Sequence, residues 1–196
     1  MELSVSCIDP VEVAQELHQS KFGAHFLIVY QDLVTFREMY SYYVKAALKN
    51  NEIVLILPFY ETTDNVRQIL SEDPACIDVR KYEKEQLLLI MDSVKAYFSL
   101  KGGLMPFVNQ IVNFAKASGK DGVSVIGDMG SFFYNQKNGG LMDYEMTLPT
   151  QFEGMTLKGF CVYHKRDYER RFSENDRQML SNHHGKSLTL LSTTRG

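Results

Sequence analysis

Apolar positions follow two rhythms along this chain. Ala24-His25-Phe26-Leu27-Ile28-Val29-Tyr30 is a continuous apolar run of strand length, as expected of a strand covered on both faces. From Leu33 to Asn50 the residues Phe36, Tyr40, Tyr43 and Ala47 recur at helical spacing, with Arg37, Glu38, Lys45 and Lys49 on the other side. That spacing predicts an amphipathic helix capped by Asp32 and stopped at Asn50-Asn51. Ile53 to Leu57 then reads as a second buried strand, ended by Pro58. Strand, helix and strand in close succession form a crossover unit, the building block of a parallel sheet.

The same alternation continues. A short helix is expected over 10–21, another from Asp64 to Leu70, and a strand around Ile77 to Lys81. The run Leu87 to Met91 admits two readings: a strand ending at Asp92 with a helix from Ser93 to Phe98, or one helix from Glu83 to Phe98. Gly102-Gly103 breaks either. Leu104, Val108, Ile111 and Ala115 line one face of a helix that tolerates Pro106 in its first turn and closes at Gly119. Gly122 to Ile126 reads as a strand, Gly139-Gly140 as a loop, and Leu141 to Gln151 as a helix interrupted by Pro149. Lys158 to Tyr163 is a further strand, Ser173-Glu174-Asn175-Asp176 opens a last helix, and Ser187 to Ser192 closes the sheet, with 193–195 fraying. The expected fold class is α/β: a three-layer α/β/α sandwich around a mostly parallel sheet. With no repeat or linker, one domain spans 1–196, its core running from about 23 to 190.

Composition narrows the surroundings more than the function. The 196 residues are 44% hydrophobic and 23% charged, ordinary for a globular domain and unlike a disordered chain. A net charge of -3 supports neither a nucleic-acid partner nor a polybasic membrane anchor. Cys7, Cys76 and Cys161 lie far apart and lack the short spacings of metal or redox motifs, which suits a reducing cytoplasm. Met1 to Pro10 lacks a basic region followed by an apolar one, and no apolar run approaches membrane length. A soluble, cytoplasmic protein is expected.

The chemical motifs are mostly notable for what they exclude. The first strand leads into Tyr30-Gln31-Asp32-Leu33, with no glycine and no Lys-Ser/Thr pair, and no G-x-G-x-x-G follows. A phosphate cradle is therefore not expected there. Two apolar runs end in an acid, at Asp92 and Asp128, which fits helix caps or neutral partners better than a nucleotide-bound metal. The histidines His18, His25, His164, His183 and His184 show no helical zinc spacing, and the adjacent pair His183-His184 diverges by about 100° on a helix. No metal site and no cofactor are expected. His25, inside a buried run, needs a hydrogen-bond partner and reads first as a satisfied core histidine. Cys161, between Phe160 and Val162, reads as packing, and no nucleophile elbow is present. The run His164 to Arg171 mixes both charges and reads as a solvated loop and helix start. Tyr30, Phe59, Tyr60, Phe132, Phe133, Tyr134, Tyr144 and Tyr163 fall near strand ends, where an open α/β sheet keeps its ligand crevice.

Taken in order, His25 with Tyr30, the Glu52-led strand, Gly127-Asp128-Met129, Tyr144-Glu145, Cys161-Val162-Tyr163 and the late His183 resemble the MEDS domain, a sensory domain of bacterial and archaeal signalling proteins and of dichloromethane-responsive repressors. The resemblance covers Gly23 to Leu190. It implies a RecA-like α/β domain without Walker A, acting in signal transduction and transcription regulation by sensing small organic molecules. The family's late His usually precedes a proline, whereas this chain has His183-His184-Gly185. On this resemblance His25, Tyr30, Asp128, Met129, Tyr144, Glu145 and Tyr163 become expected ligand-binding residues, with His25, Asp128 and Tyr144-Glu145 converging on one crevice. The expected function is a non-catalytic sensor that binds a small organic ligand and signals through a regulatory protein partner or by self-association, without nucleic acid or membrane. Its output module then lies on another molecule. Two alternatives stay open: a degenerate RecA-like nucleotide binder or weak ATPase using Asp92 or Asp128, and a homo-oligomeric interaction module.

Overall fold

The structure is a computed structural model that describes residues 7–134 and 138–190. In chain order the elements are β1 (Cys7–Ile8), α1 (Pro10–Gln19), β2 (His25–Tyr30), α2 (Leu33–Lys49), β3 (Glu52–Leu57), α3 (Thr63–Ser71), α4 (Val79–Lys84), β4 (Leu88–Ile90) and α5 (Ser93–Phe98). They continue as α6 (Leu104–Ala117), β5 (Gly122–Asp128), α7 (Gly130–Tyr134), α8 (Asn138–Thr147), β6 (Leu157–His164), α9 (Lys165–Arg171), α10 (Glu174–His183) and β7 (Lys186–Leu190). The strands form one sheet in the order β1-β7-β2-β6-β5-β3-β4, and every pairing is parallel.

Strand order and helix placement share one cause. Residues of α1, α2, α3 and α4 pack with Ile28, Tyr30, Val54, Ile56, Phe160 and Val162 on one face of the sheet. Residues of α5 to α8 and of α9 and α10 pack with Leu27, Val29, Ile53, Leu55, Cys161 and Tyr163 on the other. The chain steps one way along the sheet with helices on the first face and returns with helices on the second, as a single crossover handedness requires. A three-layer α/β/α sandwich results.

Most elements lie where periodicity places them. Asp32 caps α2 by accepting from the Thr35 N–H at 2.9 Å. Ser173 and Asp176 form a reciprocal capping box on α10. For the ambiguous run at 87–91, the strand reading holds: β4 pairs with β3, and the Asp92 carboxylate caps α5 through the Lys95 N–H. Three expectations need correction. Residues 79–84 are helix α4 instead of a strand from Ile77, because Asp78 captures the Lys81 N–H and the three-residue spacing of Val79 and Tyr82 turns both toward the core. Gly139-Gly140 are helical, within the first turn of α8. There the one-face burial of Leu141 and Glu145 outweighs the ~1 kcal/mol propensity cost of each glycine. That helix ends at Thr147, before Pro149, instead of running to Gln151. The helix α7 and the edge strand β1 were not expected. Residues 191–196, with the end of the last predicted strand and the fraying tail, lie outside the described residues.

A charged pair lies inside the first face. Lys158 of β6 and Glu52 of β3 meet at 2.9 Å with 3% and 5% of their side chains exposed, so solvent does not screen them. Ser124 donates to the second Glu52 oxygen at 2.6 Å, and Tyr43 donates to Ser124 at 2.7 Å. The network is fully partnered, which a buried ion pair requires. Lys158→Met should leave Glu52 uncompensated and lower the unfolding free energy in urea by about 3–5 kcal/mol. The double variant Lys158→Met/Glu52→Gln, which retains an acceptor for Ser124, should recover most of that loss.

Candidate functional site

On the second face of the sheet four polar side chains from four distant elements meet. His25 begins β2, Cys161 lies mid-β6, Glu145 is on α8, and His184 caps the end of α10. Their exposures are 0%, 7%, 0% and 4%. The His25 Nε2 lies 3.4 Å from the Cys161 Sγ, the sulfur lies 3.5 Å from the Glu145 Oε2, and the His184 Nε2 lies 3.6 Å from that same oxygen. The imidazoles of His25 and His184 are packed with ring centroids 4.2 Å apart.

Each imidazole is oriented by a backbone carbonyl. His25 Nδ1 lies 2.8 Å from the Pro149 carbonyl and His184 Nδ1 lies 2.7 Å from that of Leu180. A carbonyl can only accept, so Nδ1 carries the proton in both rings. Both Nε2 lone pairs then point at the thiol and the carboxyl group. Burial pushes the His25 pKa down to about 4, against the Pro149 hydrogen bond, and pushes His184 to about 3 with help from neighbouring His25. Both rings are neutral at physiological pH, so His184 and Glu145 do not form an ion pair. Burial raises Glu145 to about 7, opposed by hydrogen bonds from Tyr163 and Cys161, and pushes the Cys161 thiol well above its usual range.

Sheet register makes room for this cluster. His25 pairs with Gly159, and Cys161 pairs with Leu27 on one side and Gly127 on the other. A Cβ at Gly159 would come within 2.6 Å of the Phe152 ring and 3.6 Å of the His25 Cδ2, so Gly159 keeps open the space the two rings occupy. Beside the cluster lies a cavity of about 30 Å³ bordered by His25, Tyr97, Val108, Gly127, Tyr144 and Cys161, among other mainly apolar residues. That volume suits a molecule of very few heavy atoms.

A second polar group occupies the opposite face, at the carboxyl ends of the strands. Tyr30 donates to the Asp128 Oδ2 at 3.1 Å and the Gly130 N–H donates to Oδ1 at 2.9 Å. Nearby, Arg37 and Tyr40 donate to Glu61 at 3.0 and 3.2 Å, and Tyr60 donates to Asp167. Burial raises the Asp128 pKa to about 7, against the Gly130 and Tyr30 hydrogen bonds.

A family model described as MEDS, methanogen/methylotroph, DcmR sensory domain, matches residues 24–184. The chain belongs to the MEDS family. No curated protein matches it. Within this MEDS domain the expected ligand-binding residues divide between two places, and Asp128 does not join His25, Tyr144 and Glu145 at one crevice. His25, Tyr144, Glu145 and Tyr163 assemble on the second face, with the Tyr163 hydroxyl donating to Glu145. Met129 is close by, its sulfur accepting from Tyr97 at 3.2 Å. Tyr30 and Asp128 are on the first face and do not border the cavity beside His25, because they differ from His25 and Cys161 in strand parity. Of the strand-end aromatics, Tyr144 borders the cavity, whereas Tyr30 is fully buried against Phe36 at 4.5 Å. Sequence reasoning missed three residues that the structure places at this cluster and cavity: Tyr97, Cys161 and His184. Cys161 shares strand parity with Tyr163, a signal available in the sequence, but nothing local marks His184. Among the described residues no helix is long and apolar enough to cross a membrane.

The two faces make a pH prediction separable. Asp128 has a folded-state pKa above its unfolded value, so it stabilises the fold fully below about pH 4, and that stability is lost as pH rises through about 7. Asp128→Asn, which keeps an acceptor for Gly130, should lack this loss. In urea titrations at pH 4.5 and 7.5 the variant should gain on the wild type by a few kcal/mol at the higher pH; parallel behaviour of the two proteins would exclude a raised Asp128.

Proposed function

We propose that this MEDS domain is a non-catalytic sensor of a small organic molecule, bound in the cavity between His25, Tyr97, Tyr144 and Cys161, and that it reports occupancy to a regulatory protein or to a second copy of itself. The observation that carries this reading is the size and lining of the cavity. A space of about 30 Å³ walled mainly by Leu104, Val108, Val125, Leu148 and Phe152 favours an apolar or one-polar-group ligand over a nucleotide. The few polar residues in the lining are Tyr97, Tyr144, His25 and Cys161, enough to orient one donor or acceptor. Absence of catalysis is supported by the state of the thiol, since burial holds Cys161 protonated and therefore poorly nucleophilic.

A route for the signal follows from α8. Tyr144 borders the cavity while its neighbour Glu145 engages Tyr163 and Cys161 of β6. A ligand that prefers one position of Tyr144 thereby biases α8 against the sheet, and its effect equals its differential affinity for the two positions. A cytoplasmic setting accords with this reading.

A thermal-shift series on the full chain tests it with one- to three-carbon alcohols, amines and halomethanes, and with Mg-ATP. A ligand at about 100 times its Kd should stabilise by about 2.7 kcal/mol, a rise of roughly 5–10 °C in Tm for a domain of this size. Val108→Leu, which fills the cavity with one methylene, should fold normally and abolish the shift. Failure of every small organic to stabilise the folded protein, or a response confined to Mg-ATP, would overturn the proposal.

A further inference from the structure

We propose that His25, Glu145, Cys161 and His184 form a binding site for a zinc-class transition-metal ion. The four donor atoms lie within 4.8 Å of one another. Tetrahedral zinc with bonds of about 2.0–2.3 Å holds neighbouring donors about 3.3–3.6 Å apart. Three of the contacts already match: 3.4 Å from His25 to Cys161, 3.5 Å from Cys161 to Glu145, and 3.6 Å from Glu145 to His184. Closing the wider gaps takes side-chain shifts on the order of 1 Å.

Three further observations point to an ion. The His184 Nε2 is buried and has no hydrogen-bond partner, and its lone pair is aimed into the cluster. An unpartnered acceptor facing a thiol and a carboxyl group is what an incoming cation would satisfy. Both histidines donate their Nδ1–H to a backbone carbonyl, Pro149 or Leu180, the outer-shell arrangement that fixes a metal-binding imidazole in its tautomer. Charge also balances: two neutral imidazoles, one thiolate and one carboxylate around a divalent cation carry no net charge, so the complex is compatible with a site that is almost fully buried. Binding displaces the thiol proton, and the glutamic acid proton where present, to solvent.

A mixed sulfur, nitrogen and oxygen set favours zinc, with cobalt as its spectroscopic substitute, over magnesium or calcium, which prefer all-oxygen shells. His25 and Cys161 also border the cavity, so the ion would sit in the cavity wall. The proposal does not depend on the identity of any organic ligand, since the four side chains provide the coordination.

The test uses the full chain, stripped with a chelator and titrated with Zn²⁺ and separately with Co²⁺. The expected result is one ion per chain, with the visible spectrum of tetrahedral Co²⁺ and a thiolate-to-cobalt charge-transfer band. Cys161→Ser should remove that band, and His184→Ala should weaken Zn²⁺ binding by at least roughly 10–100-fold. Cys76→Ser, at an exposed thiol, should change neither. X-ray absorption on zinc-loaded wild type needs no variant to fold and should give one sulfur with three nitrogen or oxygen neighbours. No stoichiometric uptake by folded protein, a shell without sulfur, or a charge-transfer band that depends on Cys76 would each overturn the proposal.

Discussion

Everything in this molecule depends on strand β6 being buried on both faces at the centre of a parallel sheet. Its neighbours β2 and β5 close both edges, and residues 157–163 are all buried. A strand in that position has no solvent side on which to hide a polar group. Lys158 and Cys161, three residues apart, therefore project to opposite faces, and each must find its partners within its own helical layer. Lys158 finds Glu52 and the His18 carbonyl in the first layer; Cys161 finds His25 and Glu145 in the second.

That division gives the two layers different chemical characters. The first satisfies its buried charges with one another and with hydroxyl groups, and its tyrosines Tyr30, Tyr40 and Tyr43 each have a hydrogen-bond acceptor. It reads as a rigid frame. The second layer contains the cavity, the incompletely partnered His184 and a concentration of neutral imidazole, thiol and carboxyl groups. Incomplete satisfaction in a dry core is costly, and proteins tolerate it most often where function requires it.

Much of the architecture was legible in the chain because its signals are local. The doubly apolar strands β2, β3 and β5, the amphipathic α2 and α6, and the caps Asp32, Asp92 and Ser173 are each set by residues within one or two turns of one another. The errors have local physical explanations too. A single side-chain cap at Asp78 turned a predicted strand into α4, and burial of one helix face overrode the glycines of α8. The site was legible only in part. His25, Tyr144, Glu145 and Tyr163 emerge from the order of motifs, but the expected union of His25 with Asp128 does not occur.

The sequence by itself determined most of the elements and which side chains of each strand share a face, because the periods of 2 and 3.6 residues are properties of the local backbone. Only the tertiary structure decided which elements became neighbours. Insertion of β6 and β5 between β2 and β3 sets Cys161 beside His25, while the turn after α10 brings His184 to Glu145. Those contacts join residues 136 and 39 positions apart, and at such separations no spacing rule operates. What brings these residues together is strand order, settled by the burial of the whole sheet between its two helical layers.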